Sequence, residues 1–503
     1  MTDQAAAVSG NLGSIEHFVV LMLENRSFDH LFGALKAKNS AVDGGLDGEF
    51  SNPTDPAAAS AVVRTGPASA FAMPFDPGHE FEDIQIQLYG RAPSADRAPA
   101  PRVDPAPMSG FVYSAEQNAA PNPSNAAMVM QFFPVEKLPV LTSLATEFAV
   151  FNYWHASLPG PTWPNRFFVH AATSGGLTDS PSDPDILAGY SFPAGTIYKR
   201  LAAGGKSWRI YHEGLPQTAG IDSLRLEFLD VLTKNFREMS CFEGDLRSGM
   251  LPQYVFIEPS YDTGHDYVNG NSMHPLNDVR QGELLVKRVY EALRASSFWT
   301  STMLIVTFDE HGGFFDHVPP PPAVPPGGDQ RYANPANHFD FDRLGVRVPA
   351  IVVSPYTPKN MVVGNLARDI YDHTSILATV EKRFKLAALT GRDSAARTLE
   401  SALTLNTPRV SPEDARLTLP EPVADSLGTR FLNFFRRPAA PPAAPMSPSQ
   451  RVQLTLAHAC DLQILDPAAR PDARRRYLSI RKPQDAADYI EDVENRIRAR
   501  RRP

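Results

Sequence analysis

The sequence predicts an α/β protein: a doubly wound, mainly parallel sheet flanked by helices, with long loop insertions and a small helical C-terminal extension. Three observations carry this. Short apolar runs rich in β-branched residues lack the alternation of a half-exposed strand, as expected of strands covered on both faces. Segments with helical periodicity fall between them. Pro accounts for 47 of 503 residues, about 9% against a usual ~5%, so long loops join the elements.

The elements follow in chain order. Residues 15–23 (IEHFVVLML) read as a buried parallel strand with polar groups at its C-terminal end. Residues 39–134, rich in Pro, Ala, Asp and Gly, read as a long loop-rich insertion. A helix is expected over 136–146, a strand over 148–153, and a helix from 165 to 172 after a Pro-Gly-Pro-Thr-Trp-Pro turn. Short strands are expected at 207–211 and 254–257. Residues 282–295 have helical spacing, with Leu284, Leu285, Val289 and Leu293 on one side. Residues 302–308 (TMLIVTF) and 346–353 read as buried strands, and 372–384 as a helix with Asp372 or Thr374 near its cap. A Pro/Ala-rich stretch at 436–450 reads as a semi-rigid linker between a catalytic region, 1–435, and a helical extension, 451–503, with helices at 451–465 and 484–500.

Composition narrows the function. Hydrophobic residues are 43% and charged residues 21%, which argues for a folded globular chain. Net charge is −8, against a nucleic-acid binder that works by phosphate neutralisation. The longest clean apolar run, 18–23, is far short of the ~20 residues of a membrane span. Two cysteines, Cys241 and Cys460, exclude a thiolate metal site and read as buried free thiols. Residues 1–14 lack a basic segment followed by an apolar one, so the expectation is a cytoplasmic protein or one exported by a non-standard route. The extension, with 12 Lys/Arg against 8 Asp/Glu, offers peripheral contact to anionic lipid, although charged helix ends are commonly just solvated.

Two strands end in carboxylates, the first in Glu24-Asn25 and the second in Asp309-Glu310. In a parallel sheet these ends share one edge, where ligands bind. Converging carboxylates repel unless a cation neutralises them, and oxygen ligands favour Mg²⁺, Ca²⁺ or Mn²⁺. Thr162 stands just before a helix, in the positive end of its field, where a hydroxyl beside a cation ionises more readily and can attack phosphorus. Each feature has a plainer reading: a solvated strand end, or a Thr near a helix cap. His79 (FDPGHEFED), His212 (WRIYHEGLP) and His274 (NSMHPLND) lie in polar loops, where imidazole suits phosphate contact and protonation of a leaving alkoxide, or simple solvation. A need for protonated His implies a mildly acidic optimum. His311 and His317 border Gly312-Gly313, and His373 caps or packs its helix.

The segments IEHFVVLMLENRSFDHLFG, GPTWPNRFFVHAATSG, HPLNDVRQGELLVKRVYEALRASSFW, TFDEHGGFFDHVPPP and DHTSILATVEKRF occur in this order. Together they resemble the phosphoesterase family of bacterial and plant non-specific phospholipases C and related bacterial acid phosphatases. That family lies within the alkaline-phosphatase-like superfamily. The resemblance spans 15–384. It implies a metal-dependent phosphoric ester hydrolase. Glu24, Asn25, Thr162, Asp309 and Glu310 would bind one divalent ion (Ca, Mg, Mn or Zn), Thr162 would be the nucleophile, and His79, His212 and His274 would contact phosphate. His212 rests on a looser local match than the other two. The substrate implied is a phosphorylated small molecule or a phospholipid. The missing leader and the short helical tail place the chain nearer the acid-phosphatase branch. Two rivals are a non-catalytic binding protein that retains the fold and an effector targeted by its tail.

Overall fold

The computed structural model describes residues 11–58, 61–90, 104–120, 122–265, 267–328, 330–364, 368–424 and 446–501. Eight strands form the central sheet: β1 His17–Leu23, β2 Ala149–Phe151, β3 Trp208–His212, β4 Phe236–Glu238, β5 Tyr254–Glu258, β6 Thr302–Phe308, β7 Ala350–Val353 and β8 Met361–Val363. Their spatial order is β8-β2-β7-β6-β1-β5-β3-β4. β7 runs antiparallel to both neighbours, β6 and β2, and every other pairing is parallel. The sheet is thus mainly parallel, as expected, with one reversed strand where 346–353 reads as an ordinary buried run. β1 and β6 are buried along almost their whole length, which explains their unbroken apolar sequences.

Ten helices of the flanking layers matter below: α1 Phe81–Tyr89, α2 Phe111–Asn118, α3 Pro139–Glu147, α4 Thr162–Ala171, α5 Asp183–Ala188, α6 Val279–Arg294, α7 Thr374–Phe384, α8 Pro448–Ile464, α9 Arg470–Ser479 and α10 Pro483–Arg501. Residues 282–294 of the amphipathic run lie in α6 and Ala295 is its C-cap; Leu285, Val289 and Leu293 are buried as expected whereas Leu284 is exposed, and the first turn is capped by Asp278 accepting from the Arg280 amide. α8 begins three residues earlier than periodicity indicates, because Ser447 and Gln450 form a reciprocal capping box around Pro448. Most of the 436–450 linker lies outside the described residues.

The insertion is more than loops. Within 39–134 the chain forms α1 and α2, and Phe75, Ile84, Leu88, Met108 and Phe111 build a separate small core with Phe314 and Val346. The aromatic stretches at 71–89 and 108–113 are therefore mostly internal packing. The short, broken periodicity between prolines hid these helices. No helix among the described residues is long and apolar enough to cross a membrane. The extension, too, is packed rather than free: α8 and α10 contribute Leu456, Ala457, Tyr489 and Val493 to the main core. Arg498 pairs with Glu238 at 3.3 Å, and Arg501 donates to the Phe228 carbonyl. Cys460 is buried, Cys241 is half-buried, and both are free thiols.

A buried ionic knot braces one side of the sheet edge. Arg347, just before β7, bonds Asp316 through Nε at 2.8 Å and Asp29 through Nη2 at 3.2 Å. His317 Nδ1 lies 2.7 Å from the other Asp29 oxygen and Nε2 lies 3.3 Å from Asp43. Burial disfavours the His317 cation, but the hydrogen bonds to Asp29 and Asp43 outweigh it and raise the ring to about 9. The folded ring binds its proton more tightly than the unfolded ring, so this stabilisation is complete below about 6.5 and is lost as pH climbs through about 9. Its size is on the order of 3 kcal/mol. The thermal midpoint should fall across that window in the wild type, and His317→Gln should flatten the fall. An equally steep fall in the variant would remove His317 as its source.

Candidate active site

The carboxyl ends of β1 and β6 lie side by side, with Leu23 in register with Phe308. The next residues are Glu24-Asn25 and Asp309-Glu310, so two acid pairs distant in sequence meet because their strands pair. Asn25 adopts a left-handed backbone (φ 56°) and donates its amide to Asp309 Oδ1 at 3.0 Å. The Glu310 amide donates to the same oxygen at 2.8 Å, and the Gly312 amide donates to Glu310 Oε2 at 2.7 Å. Gly312 also has φ 64°, and a Cβ there would stand 2.2 Å from the Asn25 carbonyl oxygen. Only glycine lets the two strand ends approach this closely.

Thr162 is the first residue of α4, after Pro161 at the cap. Its Oγ1 donates to Asn25 Oδ1 at 3.3 Å. One helical turn on, Arg166 donates from Nε to Asp309 Oδ2 at 3.0 Å and from Nη2 to the Met22 and Leu23 carbonyls, while its guanidinium stands 5.2 Å from the Tyr261 ring centre. Arg166 thus fastens the start of α4 to the ends of β1 and β6. Asn165 fixes the preceding turn by donating to the Gly160 carbonyl at 2.8 Å.

The charge balance is unusual. Glu24, Asp309 and Glu310 are all buried. Burial pushes Glu24 up to about 8, with Arg166 opposing and Asp309 adding. Burial likewise pushes Asp309 up to about 6, against the pull of Arg166. Among the described residues, Glu24 Oε2 and Glu310 Oε1 have no hydrogen-bond partner. Buried carboxylates with bare oxygens are what a divalent cation relieves. The oxygens of these three residues do not all come within 4.8 Å of one another. A shared ion would therefore also draw on Asn25 Oδ1 and Thr162 Oγ1, which are hydrogen-bonded to each other at 3.3 Å. A tighter triad, Asp29, Asp316 and His317, has ligand atoms within 4.8 Å. There the Arg347 guanidinium already provides the neutralising charge.

Glu24, Asn25, Thr162, His79 and His274 line one pocket, with Trp163, Gln217 and Tyr267. His79 hydrogen-bonds the Pro77 carbonyl through Nδ1 at 2.8 Å, and its Nε2 lies 3.4 Å from the Asn25 amide nitrogen. Burial opposes its charge, but Glu310, Asp76 and Glu80 outweigh burial and raise it to about 10. His274 stacks on Tyr267, ring centres 3.5 Å apart and 3° from parallel. Burial, with His79 and Arg26 adding, lowers it well below the usual range, so the ring is neutral. Its Nδ1 accepts the Leu276 amide at 3.3 Å, which puts the proton on Nε2, a buried donor without a partner, 3.6 Å from Asp76 Oδ2. Arg26 holds the same loop through the Met273 and His274 carbonyls.

His212 does not join them. It ends β3, with Nδ1 bonded to the Gly214 carbonyl, and faces a separate small cavity lined by Phe228, Glu238 and Ile497. A parallel strand end places a residue on the correct edge, but the distance along that edge is not visible in a local match. His373 donates from Nε2 to the Asp309 carbonyl at 2.7 Å while Trp154 donates to its Nδ1 at 3.4 Å, so it supports the acid pair from behind. Sequence reasoning missed Arg166, Asp76 and Gln217, the last donating to Glu24 Oε1 at 3.3 Å. Spacing held a signal for two of these: Arg166 is one turn from Thr162, and Asp76 is three residues before His79.

The sequence profile of the phosphoesterase family matches residues 15–387. Non-specific phospholipase C3 of Arabidopsis thaliana is 40% identical over 433 residues, which cover 84% of this chain and 79% of that protein. Phospholipase C B of Mycobacterium tuberculosis is 29% identical over 425 residues, 76% of this chain and 75% of that protein. Among solved structures, a protein of the alkaline phosphatase superfamily from Vibrio parahaemolyticus is similar over 52% of this chain and 64% of that one, at 17% identity and a TM-score of 0.32.

Proposed function

The chain belongs to the phosphoesterase family and is a phosphoric ester hydrolase; from that premise we propose that it is metal-dependent and works through a phosphothreonine intermediate on Thr162. One observation carries the reading: Thr162 Oγ1 stands at a helix N-terminus 3.3 Å from Asn25, in a pocket that also holds Glu24, His79 and His274.

Glu24, Asn25, Thr162, Asp309 and Glu310 would hold a divalent ion, which when bound would supply Lewis acidity that favours the alkoxide form of the Thr162 hydroxyl and neutralises phosphoryl charge. The protein's own groups do the rest. Asn25 orients the Thr162 hydroxyl, and the α4 N-terminus favours an anion beside it. His274 offers Nε2–H to a phosphoryl oxygen, and Arg26 and Tyr267 keep that ring in place. His79, set among Asp76, Glu80 and Glu310, gives its Nε2 proton to the departing alcohol oxygen. Thr162 Oγ loses its proton to solvent and bonds to phosphorus as the bond from phosphorus to the alcohol oxygen breaks. Water then attacks the phosphothreonine, with His79 Nε2 taking one proton of the water; the bond from phosphorus to Thr162 Oγ breaks, Thr162 regains its proton from solvent, and phosphate or a phosphorylated head group is released.

The relatives' names favour phospholipid head-group esters, whereas the buried aromatics of the insertion favour small phosphomonoesters. Assaying 4-nitrophenyl phosphate beside phosphatidylcholine with divalent ions present, and trapping phosphate by acid quench, tests both points. Turnover with phosphate recovered on Thr162 is expected. Failure to hydrolyse either substrate overturns the enzymatic reading.

A further inference from the structure

The catalytic body does not close the Thr162 pocket by itself. Ser449, Val452 and Gln453, from the start of α8, line it together with Glu24, Asn25 and Thr162. This part of the extension is fastened firmly. The Leu215 amide donates to Glu494 Oε1 of α10 at 2.8 Å, and the Leu215 carbonyl accepts from Gln453 Nε2 of α8 at 3.1 Å. Two residues beyond Leu215 is Gln217, which bonds Glu24. Arg451 bonds Asp183 Oδ2 through Nε and Nη2 at 2.9 and 2.7 Å, and Thr455 donates to Asp183 Oδ1 at 2.9 Å. Val452 has no polar side-chain atom and is buried, so it gives the pocket shape rather than a hydrogen bond. The cavity measures about 20 Å³, roughly the room of a single water. A phosphoryl group is larger than one water, so the lining must give way to admit any ester, and the branched side chain of Val452 is part of that lining.

We propose that Val452 is the size-selecting wall of the pocket. It restricts the enzyme to phosphoric esters with little bulk beyond the leaving alcohol, so monoesters are preferred to diesters carrying a second large substituent. The inference rests on the phosphoesterase reading and narrows its substrate class. Its signature is a selectivity, which a merely structural role for Val452 would not move, because lost stability lowers all rates together.

The test uses the full chain with divalent ions. It compares kcat/KM for 4-nitrophenyl phosphate and 4-nitrophenyl phosphocholine, which share a leaving group and differ by the choline ester. In Val452→Ala the diester-to-monoester ratio should rise about tenfold, and in Val452→Phe it should fall about tenfold. A ratio within twofold of wild type in both variants overturns the wall. Hydrolysis of neither ester by the wild-type chain counts instead against the phosphoesterase reading. The wall is then judged from calorimetric Kd values for phosphocholine and inorganic phosphate, whose ratio must shift in the same two directions.

Discussion

Replacing Thr162 by alanine should cut phosphomonoester turnover by about 10³-fold or more, since removal of a covalent nucleophile leaves only binding and charge stabilisation. The fold should be nearly indifferent. The Thr162 side chain makes one long hydrogen bond, to Asn25 at 3.3 Å, and supplies no cap to α4, whose cap position is Pro161. The thermal midpoint should therefore stay within about 2 °C, because one weak bond contributes roughly 1 kcal/mol. Thr162→Ser retains the oxygen and should recover most of the loss. Rapid-quench kinetics add a second reading: the burst of released alcohol, expected in wild type, should vanish in the alanine variant. An alanine variant retaining a tenth of wild-type turnover would refute the assignment.

Stripping divalent ions with a chelator should take activity to background and also lower the thermal midpoint by several degrees. The second effect follows from burial. Glu24, Asp309 and Glu310 are buried, Arg166 is ion-paired to Asp309, and among the described residues Glu24 Oε2 and Glu310 Oε1 have no hydrogen-bond partner. A cation that binds this folded site and not the open chain stabilises it by about 4 kcal/mol at a thousand times its Kd. Calorimetric scans before chelation, after it, and after adding back single ions separate the two effects and rank the metals. Glu310→Gln should weaken the response, since it removes one of the bare carboxylate oxygens. A midpoint unmoved by chelation, in protein shown free of metal, would mean that the acid pairs serve another purpose.

What the sequence made legible was local. The acidic pairs stood out because each follows an unbroken apolar run, and strand ends in a parallel sheet share an edge. Thr162 and the two pocket histidines were also visible, through turns and loops with a distinctive composition. What stayed hidden depends on side-chain reach across long separations. Arg166 reaches an acid 143 residues away, Gln217 reaches one 193 residues away, and nothing in their neighbours announces it. β7 reads as one more buried strand, since reversal of direction leaves no trace in an apolar pattern that both orientations bury. The helices of the insertion are only eight and nine residues long, too short for periodicity to outweigh the surrounding prolines. His212 shows the opposite failure: local resemblance placed it, and its position along the sheet edge moved it to another cavity.

The grip of α8 and α10 on Leu215 bears on biosynthesis. Glu24 emerges from the ribosome more than 400 residues before Gln453 and Glu494. A nascent chain therefore pairs β1, β5 and β6 while the outer side of the pocket is still unmade. The strand ends that carry Glu24 and Asp309 can therefore meet before Val452 and Gln453 exist, and the pocket is walled once the last helices dock. The last wall of the pocket is thus supplied by the last part of the chain to be made.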